Sequence, residues 1–298
     1  MSKANQTNQN WYCPICKTSH VENKLNLRLS FPQVPLLRIY RCHCGLIYTD
    51  YAVKGAAPDV YDSTYYDQVR YSDSTGRNLY VEHIGGFLNR VIKAENFQRN
   101  SGRLIDIGCA TGDFVAWARN QGWDAEGIDI ASASVTTGQK RGLPLRLGSV
   151  DELNKYPSTF DVITLWDVIE HLPDTTQVLK SVHKALKPEG LFFIKTVSSG
   201  SLLDLIARGL YLFSFGKIQM PLKRMYVLGH LYTYNRDIFS RYLMQERWRV
   251  IRAIHADTPA EALFPPGIAR VAFKRIARLQ SFFDRTYELL FACRKSSI

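Results

Sequence analysis

Apolar residues in the middle of the chain gather in short β-type runs separated by longer amphipathic stretches. The runs are RLIDI from Arg103, DAEGIDI from Asp124, LPLRLGS from Leu143, FDVITLW from Phe160 and GLFFIKTV from Gly190. The spacers are long enough for helices, as parallel strands with right-handed crossovers require, so the pattern predicts a doubly wound α/β sheet. Ser74 or Thr75 caps a predicted helix that runs to about Phe97, with Leu79, Ile84, Leu88 and Ile92 on one face. A second helix begins near Asp174, with Pro188 and Gly190 marking its end, and Leu191–Val197 then reads as a buried central strand. Beyond it the pattern predicts a helix at Leu202–Leu212, a loop at Phe213–Gly229, a helix at Arg236–Gln245 and a strand at Trp248–Ile254. The last forty residues predict a helix from Ile268 to Arg285 and a closing strand, YELLFACRK, which brings the strand count to seven. Ile268, Ala272, Ile276, Leu279 and Phe283 line one side of that helix, and Arg270, Lys274 and Arg278 another. Packing of the apolar side on the sheet is the expectation; peripheral contact with an anionic membrane is the other use of such a helix.

Composition narrows the picture. With 46% apolar and 22% charged residues over 298 positions, the chain has material for one large domain and a small appendage. Residues 1–10 are polar and predict a disordered tail rather than a secretion signal. No stretch approaches ~18 uninterrupted apolar residues, so a cytoplasmic protein is expected. The net charge of +11 is concentrated late: residues 201–298 carry 16 Lys/Arg against 7 Asp/Glu. Such a surface favours an acidic partner, whether a phosphorylated small molecule, a lipid head group or nucleic acid.

Cys13 and Cys16 form CPIC, and Cys42 and Cys44 lie in CHCG. Four thiolates within about thirty residues suit a tetrahedral structural zinc site, expected as a module over residues 11–50. The second pair is one residue short of the usual CxxC spacing, which leaves His43 or His20 as alternative ligands. A Tyr-rich linker with Tyr61, Tyr65, Tyr66 and Tyr71 follows.

The chemical signal is strongest in RLIDIGCATGDF, where a strand meets a glycine turn that opens a helix. Gly108 and Gly112 lack a Cβ, which permits a tight turn and close approach of a ligand to the helix N-terminus. Asp129 closes the next strand, where a carboxylate can accept hydrogen bonds from both hydroxyls of a ribose. The spacing is GxxxG rather than GxGxxG, which points away from a dinucleotide. These residues resemble the class I S-adenosylmethionine-dependent methyltransferases: LIDIGCATGDF matches the first family motif, GIDI the second, FDVITLWDVIEHL the fourth-strand motif and LKPEGLFFIKTV the fifth. The resemblance covers roughly residues 60–254 and implies a Rossmann-like, mostly parallel, seven-stranded methyltransferase domain over 51–298, with a lid-like segment at about 200–234. It also implies that Asp106, Gly108, Cys109 and Gly112 surround the amino-acid end of the cofactor and that Asp129 holds its ribose. By the same resemblance Ile130, Ser149 and Val150 flank the adenine, Trp166 lines the site and Tyr66 closes over the carboxylate. At Ser149 the family usually has an acid.

Asp167, Glu170 and His171 follow the fourth strand, at the edge where open α/β sheets bind ligands. His171 can act as general base on a hydroxyl, and the three together can hold a divalent cation, as in relatives with an acid-rich EH motif. Their alternative use is to cap the next helix and fix its loop. His230 lies in GHLYTYN, which resembles a family region that shapes the acceptor pocket; Asp167, His171 and His230 are the catalytic candidates. The reading is therefore methyl transfer to a small-molecule or glycan- or lipid-linked acceptor, at oxygen. An RNA methyltransferase gripping the phosphate backbone with the zinc head and basic C-terminal third is the alternative. Against it stand WDVIEH in place of an NPPY-like motif and the lack of a PC dipeptide. The oligomeric state stays open at this level.

Overall fold

The computed structural model describes residues 11–19, 25, 27–32, 34, 36–54, 74–98 and 102–296. Three short antiparallel strands come first: β1 (Leu27–Leu29), β2 (Leu37–Arg41) and β3 (Ile47–Thr49), followed by helix α1 (Asp50–Lys54) and a long α2 (Ser74–Ala94). The alternating part then runs β4 (Arg103–Ile107), α3 (Asp113–Asn120), β5 (Asp124–Asp129), α4 (Ser132–Lys140), β6 (Leu145–Leu147), β7 (Phe160–Trp166), α5 (Thr175–Ala185) and β8 (Leu186–Val197). It ends with α6 (Leu202–Phe213), α7 (Met220–Met225), β9 (Tyr232–Thr233), α8 (Arg236–Gln245), β10 (Trp248–Ala256), α9 (Ala260–Leu263), α10 (Ile268–Phe282) and β11 (Glu288–Lys295).

Seven strands form the main sheet in the order β10-β11-β8-β7-β4-β5-β6, parallel from β8 to β6 and closed by antiparallel β11 and β10. This is the doubly wound, mostly parallel architecture expected from the sequence. Alternate side chains of each strand feed two cores. Ile105, Ile163, Phe192, Ile194 and Phe291 pack with α5 and α8 on one face. Leu104, Val162, Phe193, Leu290 and Ala292 pack with α2 and α3 on the other. Burial on both faces is why these strands read as near-continuous apolar runs. Asp174 and Asn235 accept the N–H of Gln177 and Ile238, respectively, and so fix the starts of α5 and α8.

The cysteine segment shares this core. Trp11 stacks on Tyr48 with ring centroids 4.3 Å apart, and β9 pairs with β3, so residues 232–233 complete the small sheet. Of the expected lid at about 200–234, Leu222, Met225 and Tyr226 are buried against that sheet, whereas Leu212 to Met220 is largely exposed.

Three expectations change. The predicted loop Phe213–Gly229 contains α7, whose first turn tolerates Pro221 because no N–H is needed there. Pro188 and Gly190 lie inside β8 rather than before it; the register shifts between Phe160 and Val162, and such an irregularity accommodates a residue without an N–H. The apolar side of α10 does not pack on the sheet: only Gln280 of that helix is buried, and Ile268, Leu279 and Phe282 are exposed.

Candidate functional site

The order of the parallel strands reverses between β4 and β7, and the crevice beyond their C-terminal ends is the natural ligand position of an open α/β sheet. After β4 the backbone turns through Gly108 (φ 73°), Ala110 (φ 47°) and Gly112 (φ 82°) into α3. A Cβ on Gly108 would sit 2.4 Å from Cγ2 of Val168, so this glycine also makes room for the loop after β7. The turn is pinned by Asp129: the Ala110 N–H donates to Oδ2 at 2.8 Å and the Ala131 N–H to Oδ1 at 2.8 Å. A carboxylate placed this way fixes both the turn before α3 and the start of α4. Next to Asp129, Ile130 is 61% exposed, an open apolar platform at the mouth of the crevice.

Asp106 is buried and accepts the Thr164 hydroxyl at 2.6 Å. Burial, with the charge of Asp129 adding to it, pushes its carboxyl up to about 8. A cation arriving beside it would favour the ionised form. Gly112 borders Leu143 and Leu145, and the Cys109 side chain lies in the core near Gly127, so contact of either residue with a ligand would come from the main chain. Trp166 is likewise buried, edge-on to Phe114 at 5.3 Å. Ser149 is exposed and caps the short helical turn at Val150–Lys155 by accepting the Asp151 N–H at 3.2 Å; Val150 is half-buried. Tyr66 lies outside the described residues, as do His20, residues 1–10 and the rest of the Tyr-rich linker.

Beyond β7 the expected trio separates. Asp167 (φ 57°) directs its carboxylate to Lys195 Nζ at 2.7 and 2.8 Å and accepts the Tyr80 hydroxyl at 2.8 Å. Engaged by a fully buried ammonium, it is not placed as a ligand beside Glu170 and His171. The cluster that does converge is Glu170, His171 and His230, whose ligand atoms lie within 4.8 Å of one another. Thr196 donates to Glu170 Oε2 at 3.0 Å, and the two imidazoles meet edge to face at 4.7 Å. His171 Nδ1 lies 3.1 Å from the Gly229 carbonyl. A donated Nδ1–H there makes Nε2 the acceptor nitrogen of the ring. Lys195, Glu288 and Tyr80 escaped sequence reasoning. A lone lysine inside FFIKTV was their one legible signal, since a buried ammonium demands carboxylate partners.

At the other end of the chain the four cysteine sulfurs converge without a disulfide. Cys13 Sγ lies 3.7 Å from Cys44 Sγ, and Cys16 Sγ 3.3 Å from Cys42 Sγ. A tetrahedral zinc with sulfur at 2.3 Å requires sulfurs about 3.8 Å apart, so this donor set fits the metal. A hydrogen bond from Cys13 draws the Cys44 thiol down to about 5 and raises its own. Among the described residues the cluster takes Cys44 and not His43, which is exposed and outside it.

Comparison with known proteins adds an independent line. A family model described as a methyltransferase domain matches residues 80–250, more than half of the chain. The chain is 29% identical over 124 residues to the ubiquinone biosynthesis O-methyltransferase of Neisseria meningitidis serogroup A, covering 38% of this chain and 52% of that protein. It is 25% identical over 129 residues to the protein of the same name from Photobacterium profundum, covering 41% and 49%. The chain thus spans about half the length of the curated relatives it matches. Among solved structures it resembles a chain of a complex containing the Haloferax volcanii Trm112 methyltransferase activator, with a TM-score of 0.55 and 13% identity over 77% of this chain and all of that one. At that identity the likeness speaks for the fold alone.

Proposed function

We infer that this chain, which belongs to the methyltransferase-domain family, binds S-adenosylmethionine in the crevice at β4 and β5 and passes its methyl group to an oxygen of a small-molecule or glycan- or lipid-linked acceptor. The observation that carries the reading is the pinned turn at Gly108–Gly112 set against Asp106, Asp129 and the open face of Ile130. Asp129 would take the ribose hydroxyls, Ile130 would lie against the adenine, and the buried carboxyl of Asp106 would meet the ammonium of the amino-acid end. The cofactor supplies a methyl group already made electrophilic by its sulfonium. The protein's task is then to align the acceptor oxygen and remove its proton. His171 is the base: its Nδ1 lies on the Gly229 carbonyl, and its ring stands in the loop after β7. His230 backs that ring. A divalent cation on Glu170, His171 and His230 would be the other use of the same cluster, lowering the pKa of a bound hydroxyl instead. Transfer to oxygen draws support from the relatives named O-methyltransferases. Among the described residues nothing in the crevice favours the RNA alternative.

The test is transfer of label from S-adenosylmethionine to fractionated lipid, glycan, RNA and small-metabolite pools. Label entering a lipid, glycan or metabolite fraction bears the reading out, and label confined to RNA overturns it. With the acceptor in hand, His171→Gln is expected to lower kcat about a hundredfold or more and to erase the acid limb of the pH profile, with cofactor affinity unchanged. A variant with normal kcat would leave His171 a loop-fixing residue.

We also read the cysteine cluster as a structural zinc site. One zinc per chain by elemental analysis, and loss of cooperative unfolding after removal by a strong chelator, are the expected results. Metal-free protein with an unchanged melting curve would refute it.

A further inference from the structure

Helix α6 is turned the opposite way from an ordinary surface helix. It buries the polar pair Asp204 and Arg208: Arg208 Nε donates to Asp204 Oδ1 at 3.0 Å, and the Tyr226 hydroxyl donates to the same oxygen at 2.9 Å. Its outward side carries Leu205, Ile206 and Leu210, and it ends in Phe213 at 89% exposure, followed by Phe215 at 93%. Helix α10 repeats the arrangement, with Ile268 90% and Phe282 81% exposed. The two helices are joined: the Leu203 N–H donates to Gln280 Oε1 at 3.2 Å and the Leu202 N–H to the Arg285 carbonyl at 3.1 Å. A soluble protein rarely leaves this many large apolar side chains open unless something covers them.

Charge says what covers them. No acidic residue occurs between Leu205 and Met225 or within α10, while Lys217, Arg224, Arg275, Arg278 and Arg285 stand exposed among the apolar side chains. A second copy of the chain would bring these cations together against one another. A phosphate backbone would use the cations and leave the phenylalanines in water. An anionic bilayer takes both, aromatic side chains entering the head-group boundary and lysine and arginine resting on its phosphates. Among the described residues no helix is long and apolar enough to cross a membrane, so the contact would be peripheral.

We propose that the joined α6 and α10 face seats this protein on an anionic lipid surface. The proposal stands on exposure and charge and is independent of the methyl-transfer reading. The test is co-sedimentation of the full chain with phosphatidylcholine vesicles, with and without phosphatidylglycerol. Binding to the anionic vesicles is expected to exceed binding to neutral ones by about tenfold or more, and to weaken with salt. Phe213→Ser with Phe215→Ser and Phe282→Ser should lower it by at least about tenfold. Arg275→Gln with Arg278→Gln, at exposed positions that leave the fold intact, should remove a similar factor on anionic vesicles only. An unchanged circular dichroism spectrum and melting curve would show that the variants are folded. Failure of the parent protein to bind either vesicle overturns the proposal, and so does a solution dimer that the phenylalanine variants dissociate while vesicle binding is unaffected.

Discussion

Replacing Asp129 with alanine is expected to weaken binding of S-adenosylmethionine and S-adenosylhomocysteine by roughly a hundredfold or more. Two ribose hydroxyls on a carboxylate are worth about 1.5–3 kcal/mol each, and the smaller figure for both together already gives that factor. The loss is compounded by what Asp129 does in the free protein. Its oxygens hold the Ala110 N–H in the glycine turn and the Ala131 N–H before α4, so alanine would release both walls of the cofactor crevice at once. Asp129→Asn should recover little. Its amide nitrogen would face one of the two N–H donors, and only its oxygen could still accept. Calorimetry with S-adenosylhomocysteine checks the magnitude, and adenosine alone as the probe locates it, since a defect in ribose binding must appear there too. An affinity within about threefold of the parent for both probes would remove Asp129 from the cofactor site and leave it a turn residue.

How far the sequence can be read depends on what each residue's neighbours supply. Strands buried on both faces are legible because burial requires an apolar run, and α5 and α8 are legible because Asp174 and Asn235 cap them locally. The glycine turn and Asp129 were equally open to inspection, since strand, turn, helix and terminal acid lie within one stretch of chain. The histidine cluster was half legible. His171 and His230 stand far apart in sequence, and only the return of the chain through β9 puts their rings 4.7 Å apart. The surroundings of Asp167 are hidden from the sequence for a related reason. Its carboxylate looks available beside Glu170 until β8 brings Lys195 to it. The helix α10 shows a different limit: periodicity reports that a helix has an apolar side, and says nothing about whether protein or lipid covers that side.

The buried ammonium gives the second large effect. Lys195, fully buried in β8, contacts Asp167 at 2.7 and 2.8 Å and Glu288 Oε1 at 3.0 Å, and its Nζ lies 5.2 Å from the centroid of the Tyr80 ring. Glu288 in turn accepts the Thr258 hydroxyl at 2.8 and 3.0 Å. Exchange for methionine keeps the volume but leaves two carboxylates out of water with no cation, which is expected to cost about 3–5 kcal/mol. The loss must depend on pH in a fixed direction. Asp257, already pushed up to about 7 by burial with the charge of Glu288 adding to it, would lose the opposing influence of Lys195 and rise further, so the folded variant binds protons more tightly than the unfolded chain. The variant is then least impaired at acid pH, and its deficit grows as pH rises from about 4 through the raised value. Denaturant unfolding of parent and variant at pH 5 and pH 8 measures the difference. Adding Glu288→Gln to Lys195→Met should recover part of the loss at pH 8 and little at pH 5. Equal losses at both pH values would mean that packing, and not charge compensation, is what Lys195 contributes. The consequence reaches the crevice as well, because Asp167 anchors the turn that lays Val168 over Gly108. With that anchor weakened to the Tyr80 hydroxyl, affinity for S-adenosylhomocysteine should fall along with stability, although Lys195 itself lies in the carboxylate network rather than in the glycine turn.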